Sequence, residues 1–363
     1  MKDTYRILVI NPGSTSTRVA LYENDRQIFN EKIVHSGEEI TKYPSVLDQL
    51  DMRVAAIDEM LAGHTEEMKE LDGVVGRGGL LPGLTPGGYY VNDTMVDVIK
   101  SGKASPHASN LGALIADRIA KERGIPATIY DAVSADSMTE VARITGLPGV
   151  RRTSFCHVLN SRAMARKYAE SLGKKYDDMR LLVAHLGGGI SISAHKYGRI
   201  VDIISDDSGP FSPERAGSVP LLTVIDLCYS GKYTKEQMKR EVRGQGGLRA
   251  LLGTSDSLEI ERRIQSGDEY ATLCYDAQAY QIAKGIGNLA PALEFRIDAV
   301  ILTGGLAYSA MLTDRIRYYL GPVAPIVVLP GENEMMAMDL GMLRILRGEE
   351  TAKEYVYTGE EQK

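Results

Sequence analysis

The residues best suited to chemistry in this chain stand at the ends of apolar runs. Asn11-Pro12-Gly13-Ser14-Thr15-Ser16-Thr17 follows Ile7–Ile10, and His185-Leu186-Gly187-Gly188-Gly189 follows Leu181–Ala184. Both tips are small or hydroxylated, so their backbone N–H groups and hydroxyls are open to close approach by a phosphate, although an ordinary hairpin turn uses the same residues. A third glycine pair, Gly304-Gly305, ends the run from Asp298 and leads into a helix. There a nucleotide would lie flat on backbone while the helix N-terminus favours its phosphate charge.

Charged residues occupy comparable places. Arg77 is framed in Gly76-Arg77-Gly78-Gly79 after Val74-Val75, and Arg215 lies on the Pro/Gly loop Pro210–Gly217. Asp131 ends the run Ala127–Tyr130, a position that suits Mg²⁺, directly or through water, and equally a helix cap. Glu334 opens a helix after Pro330-Gly331-Glu332-Asn333, where the helix dipole alone favours an acid. His157 follows Phe155-Cys156 at the start of another helix, where a capping or core histidine also fits. Taken together, glycine-rich strand-end turns, strand-end carboxylates and loop arginines fit phosphoryl transfer from a nucleotide. No G-x-x-x-x-G-K-[ST] is present, which excludes a P-loop protein.

The elements that must position these residues repeat. Each of the first two turns sits between a buried run and a strand of period two, Val19 and Leu21 in one case, Ile190 and Ile192 in the other. Two such units predict a duplicated α/β domain with the turns facing each other across a cleft. At 363 residues, two domains are also the expectation from length. Apolar spacing predicts helices over Tyr43–Leu61, from His107 to about Glu122, over Val158–Leu172 and over Tyr270–Leu293, and strands over Gln27–Val34 and Ile326–Leu329. Turn signals at Leu147-Pro148-Gly149 put a domain boundary near residue 150.

Composition narrows the function. A net charge of −6, with no Lys/Arg run and no Cys/His finger spacing, argues against nucleic acid as a partner. Cys156, Cys228 and Cys274 are too few and too scattered for a disulfide framework, no apolar run reaches membrane-spanning length, and Met1-Lys2-Asp3-Thr4 runs straight into a strand. A cytoplasmic protein without membrane association is expected.

In order and spacing, seven segments resemble the acetate and butyrate kinase family of the actin-like ATPase superfamily, and its butyrate kinase branch most. They are Ile10–Arg18, Gly76–Gly79, His107–Gly112, Val183–Ile192, Gly209–Arg215, Leu302–Leu306 and Pro330–Glu334. The resemblance implies two ribonuclease-H-like domains around a central cleft: residues 1–150 completed by a C-terminal helix over 335–363, and a nucleotide-binding domain over 151–334. It implies ATP-dependent phosphorylation of a short-chain carboxylate to its acyl phosphate, reversible to ATP synthesis, commonly in a homodimer or higher homo-oligomer. Carried onto this chain, Arg77 and Arg215 would grip the carboxylate and the transferring phosphoryl group, and His157 would donate to the equatorial oxygens in transit. Asp131 and Glu334, with Asn11, would position Mg²⁺. Ser14 and Ser16 with the His185–Gly189 turn (Gly187, Gly188 and Gly189) would contact the phosphates of ATP or ADP. Asp256 and the Gly304-Gly305 turn would hold the nucleoside. Acetate kinases have a further histidine where Ser161 stands and a longer segment before the second arginine, two departures that favour butyrate over acetate. A sugar or polyol kinase of the same superfamily, which needs an aspartate base, and a protein using ATP only to switch shape are the alternatives.

Overall fold

The computed structural model describes residues 2–359. The chain divides into two compact units, one running to Asp136 and resuming at Asn333, the other Ser137–Glu332. The turn-rich stretch around Pro148 lies within the second, where Ile144 and Arg151 form an antiparallel bridge.

The first unit holds β1 (Arg6–Pro12), β2 (Ser16–Glu23), β3 (Arg26–Val34), β4 (Gly73–Arg77), β5 (Gly88–Tyr90) and β6 (Ala127–Tyr130) in one sheet, in the order β3-β2-β1-β4-β6-β5. The second holds β7 (Arg180–Leu186), β8 (Ile190–Lys196), β9 (Arg199–Ile204), β10 (Ala299–Gly304) and β11 (Ile326–Pro330), in the order β11-β10-β7-β8-β9. Read from the hairpin side, the two orders coincide over five strands. In each, an antiparallel meander of three strands is extended by two strands running parallel to the first. Unit 1 adds only the antiparallel edge strand β5. The duplication legible in the two glycine turns is therefore a duplication of topology.

The central strands are buried end to end because helices cover them, which is why Ile7–Ile10 and Leu181–Leu186 are continuous rather than alternating. In unit 1 the helices Asn110–Arg123 and Glu334–Leu346 pack on β4 and β6, so the last helix of the chain belongs to the first sheet. In unit 2 the helix Glu269–Asn288 brings Tyr275, Ala279, Ile282 and Ile286 against Leu182, Ile190, Ile192 and Leu302.

Helix ends differ from the periodicity at several places. The stretch Tyr43–Leu61 is a 3-10 turn, Leu47–Gln49, running into the helix Leu50–Leu61. The helix expected at His107 begins at Asn110, and Tyr270–Leu293 is a helix Glu269–Asn288 followed by a 3-10 turn holding Pro291. Gly304-Gly305 opens not an α-helix but the 3-10 turn Gly305–Tyr308, with the helix Ala310–Leu320 capped separately by Ser309. The expected helix N-terminus thus lies five residues beyond the glycines.

Candidate active site

In the first unit the β1–β2 turn leaves Ser14 and Thr15 exposed and closes through a Gly13 N–H to Ser16 O bond of 2.7 Å. At the end of β1, Asn11 donates through Nδ2 to Glu334 Oε2 at 2.8 Å, and Arg77 Nη2 lies 3.1 Å from Glu334 Oε1. Asn11 and Arg77 thereby share the carboxylate of Glu334, 323 positions beyond Asn11. Arg77 is buried, and its Nη1 has no hydrogen-bond partner.

The glycines around Arg77 have a concrete task. A Cβ on Gly76 would come 2.1 Å from Gly112 O, and one on Gly79 would come 1.9 Å from Asn110 Oδ1. They let the first turn of the helix Asn110–Arg123 lie directly on the end of β4, which fixes where the guanidinium leaves the strand. His107, just before that helix, accepts the Ser109 N–H through Nδ1 at 3.2 Å. Desolvation, and then the Arg77 charge, hold its imidazole below the ordinary 6.5.

Asp131 follows β6 with φ +42°, a left-handed conformation that is strained for a residue with a side chain. Two bonds hold it there: Gly87 N–H to Asp131 Oδ1 at 2.7 Å, and Asp131 N–H to Gly87 O at 3.1 Å. It is no helix cap. Among the described residues no three His, Cys, Asp or Glu side chains gather as a metal cage. The hard oxygen donors of Asp131, Glu334 and Asn11 suit Mg²⁺, which keeps several waters and is ordinarily held by one or two carboxylates together with substrate phosphates.

The second unit gathers the histidines. His157 occupies the N-cap position of the helix Val158–Ser171, but its side chain makes no capping bond. Nδ1 instead meets Ser191 Oγ at 2.8 Å, the same oxygen that accepts the His157 backbone N–H at 3.3 Å. Its ring stacks on that of His185, with centroids 3.7 Å apart and planes 8° from parallel. His185, on β7, receives Asn160 Nδ2 on Nδ1 at 2.9 Å, and Asn160 also donates to Thr303 Oγ1 at 3.1 Å. With the amide in this orientation the His185 ring proton sits on Nε2, a buried atom with no hydrogen bond and with Glu332 Oε1 at 3.4 Å. A buried N–H that makes no hydrogen bond calls for an acceptor oxygen, as does Arg77 Nη1 in the first unit.

The Gly187–Gly189 turn carries no positive φ, so its glycines serve close approach. A Cβ on Gly189 would lie 2.3 Å from Arg215 Nη1, so the guanidinium rests on the turn itself. Arg215 pairs with the buried Asp206, which also receives Arg243 Nη2 at 2.8 Å. Two guanidiniums on one carboxylate leave a net positive charge beside the turn. Burial, and then Arg243, lower the Arg215 pKa to about 10, still well above neutrality.

Gly304 requires glycine twice over: φ is +88°, and a Cβ would lie 2.4 Å from Leu186 O. The β10 turn therefore nests against the end of β7. Gly305 meets nothing. Asp256 is exposed and caps the helix Ser257–Gln265, its Oδ1 accepting from Leu258 N–H at 2.9 Å and Glu259 N–H at 3.4 Å.

Thus unit 1 brings together Asn11, Arg77 and Glu334, and unit 2 brings together His157, His185, Gly187–Gly189 and Arg215. Sequence reasoning missed Asn160, Ser191, Thr303, Asp206 and Arg243. Of these, only Asp206, in the polar run Ser205–Ser208 after an apolar strand, carries a signal that could have been read.

Two α/β units built on one strand order define an actin-like ATPase fold. The Porphyromonas gingivalis acetate kinase superposes with a TM-score of 0.76 at 21% identity, covering 93% of this chain and 99% of that one. A propionate kinase from Francisella tularensis gives 0.70 at 16% identity, over 93% and 98%. A ROK family protein from Streptococcus pneumoniae gives 0.52 at 9% identity, over 95% and 100%. These likenesses establish the fold. Residues 139–317, the part of the chain that carries His157, His185 and Arg215, match the model of the Acetokinase family.

Proposed function

We propose that this protein transfers the γ-phosphoryl group of ATP to a short-chain fatty acid, butyrate or a branched relative, and runs the reverse reaction to make ATP. A carboxylate oxygen forms the new bond to phosphorus, the bond to the β,γ-bridging oxygen breaks, and ADP leaves with the electron pair. The observation that carries this reading is the acetokinase-family match over residues 139–317.

The chemistry explains the residue types. A carboxylic acid with a pKa like that of Glu, about 4.3, is already ionised at neutral pH, so the acceptor needs no general base. What the reaction needs is relief of repulsion between two anions. In this reading His157, oriented by Ser191, donates to the equatorial oxygens, and Arg215 contributes the charge that Asp206 leaves uncancelled. Arg77 binds the carboxylate through the guanidinium edge not turned to Glu334. The His185–Gly189 turn and Ser14 with Ser16 meet nucleotide phosphates, Gly304-Gly305 the nucleoside, and Asp256 acts by capping the helix beside it. Mg²⁺ held by Asp131, Glu334 and Asn11 would offset the phosphate charge. The sugar-kinase alternative needs a carboxylate oxygen free to take a hydroxyl proton; the carboxylate of Asp206 is instead engaged by Arg215 and, on both oxygens, by Arg243.

Preference for butyrate over acetate is supported by Ser161 where acetate kinases carry histidine. Ser161 is buried, and its hydroxyl donates to the Val158 carbonyl of its own helix at 3.1 Å. The homodimer is part of this reading, supported by the helix Leu221–Tyr229, which is strongly apolar yet buries none of its residues. Hydroxamate trapping of acyl phosphate across straight and branched acids of two to six carbons tests the proposal. Product is expected with a maximum at four carbons; ATP hydrolysis with no hydroxamate from any acid would overturn it.

A further inference from the structure

Beneath the β1–β2 turn lies a side chain that the proposed reaction does not use. Arg53, on the helix Leu50–Leu61, is fully buried. Its Nη2 donates to Ser14 O at 3.1 Å and to Gln49 Oε1 at 2.9 Å. Its Nη1 donates to Ser16 O at 3.3 Å and to Thr17 Oγ1 at 3.0 Å, and its Nε to Gln49 Oε1 at 3.2 Å. Every one of these acceptors is neutral. A guanidinium taken out of water is costly unless its charge is answered. The carboxylate whose charge it feels is Glu39, two-fifths exposed and 3.9 Å from His35.

The same contacts orient the turn. Ser14 O goes to Arg53, Thr15 O accepts the His35 N–H at 2.9 Å, and Ser16 O takes both Arg53 and the Gly13 N–H. Three successive carbonyls are therefore tied to the protein side. In a trans peptide the N–H points opposite to the C=O of the same plane, so the amides of Thr15 and Ser16 face away from these anchors. His35 backs the arrangement as a neutral ring, its pKa lowered by burial and then by Arg53, with Nε2 at 2.9 Å from Thr17 Oγ1.

We propose that Arg53 is the positioning residue of this turn: it holds the Ser14 carbonyl inward so that the Thr15 amide in the same peptide plane meets a phosphate oxygen, it braces the Ser16 carbonyl on which the turn closes while His35 holds the Thr15 carbonyl between them, and it sets a positive charge beneath the turn. The inference rests on the reading of the turn as a site for nucleotide phosphate. Arg53 itself touches no substrate.

Arg53→Lys keeps the charge but offers one point instead of a fork, so it cannot brace both carbonyls. Calorimetric titration with ATP and Mg²⁺ should show affinity weakened by at least ~10-fold, the loss of about one charge-assisted hydrogen bond, with the KM for the acid unmoved. Amide exchange should rise over residues 11–20 and 33–37 alone. A lowered thermal midpoint with ATP affinity unchanged would return Arg53 to a structural role and overturn the proposal. A wild-type protein that does not bind ATP overturns the reading of the turn as well, and so distinguishes the two failures. Should Arg53→Lys not fold, Thr17→Val keeps the arginine while removing one acceptor; it should weaken ATP binding in the same direction, and unchanged affinity there counts against the proposal equally.

Discussion

Replacing Asp339 by asparagine should stabilise the first unit at neutral pH and flatten its dependence on pH. Asp339 lies on the helix Glu334–Leu346, is fully buried, and neither of its carboxylate oxygens has a hydrogen-bond partner. Burial, and then the charge of Asp25, push its pKa from the ordinary 3.8 to about 8, against the opposing pull of Arg344 and Arg347. Its influence reaches Tyr22, whose own pKa is pushed up to about 12 by burial and then by Asp339. The folded group therefore holds a proton at pH 7 that the unfolded group has released. A raised pKa of this kind contributes its full stability below 3.8 and loses it as pH climbs toward 8. At pH 7 the loss spans roughly 3 pH units at 1.36 kcal/mol each, so it is about 4 kcal/mol. Asparagine does not titrate but buries an NH₂ without an acceptor, at about 1–3 kcal/mol, leaving a net gain of ~1–3 kcal/mol at pH 7. Urea unfolding followed by amide protection of β1 and of the Glu334–Leu346 peptide, from pH 5 to 8, reads this for unit 1 without assuming that both units unfold together. Wild type should lose stability with rising pH while Asp339→Asn holds level. Parallel curves for the two proteins across that range would refute the reasoning.

Two further outcomes concern the second unit. Arg215→Lys should lower kcat by at least ~100-fold, roughly 2.7 kcal/mol, because lysine has no planar fork to divide between Asp206 and a phosphoryl oxygen; near wild-type turnover would sink that assignment. His157→Ala should lower kcat by ~100-fold or more with little change in either KM, since donation to oxygens that gain charge only in transit is not felt in ground-state binding. His157→Gln, which can still donate, should retain more activity, and a shifted thermal midpoint with unchanged kcat would make the histidine structural.

The architecture was legible because burial is one-dimensional in sequence. Continuous runs such as Leu181–Ala184 can be read without knowing their neighbours, and a strand, glycine turn and strand repeated twice is a pattern of the chain itself. What could not be read is what packs against a turn. Gly76 and Gly79 frame Arg77 in the sequence, but nothing in it says that the atoms a side chain there would strike belong to Gly112 and Asn110. The helix Leu221–Tyr229 was not read at all: its residues are mostly apolar and none is buried, so no contrast between an apolar and a polar half reveals the period.

The site divides along the same line. Groups at strand ends could be found from sequence because the end of a strand is a place in the chain. Groups that tune them could not, because Asn160 reaches His185 across 25 residues and Glu334 reaches Asn11 across 323. Arg53 shows where more could have been extracted. It falls three residues after Leu50 and four before Ile57, on the apolar face of its helix, where an ordinary surface arginine does not belong. A charge at a core position of a helix must be answered by acceptors, but nothing in the sequence says that these are the carbonyls of Ser14 and Ser16, 39 and 37 residues away. The sequence thus held the question that Arg53 poses, while the carbonyl-by-carbonyl answer needed three dimensions.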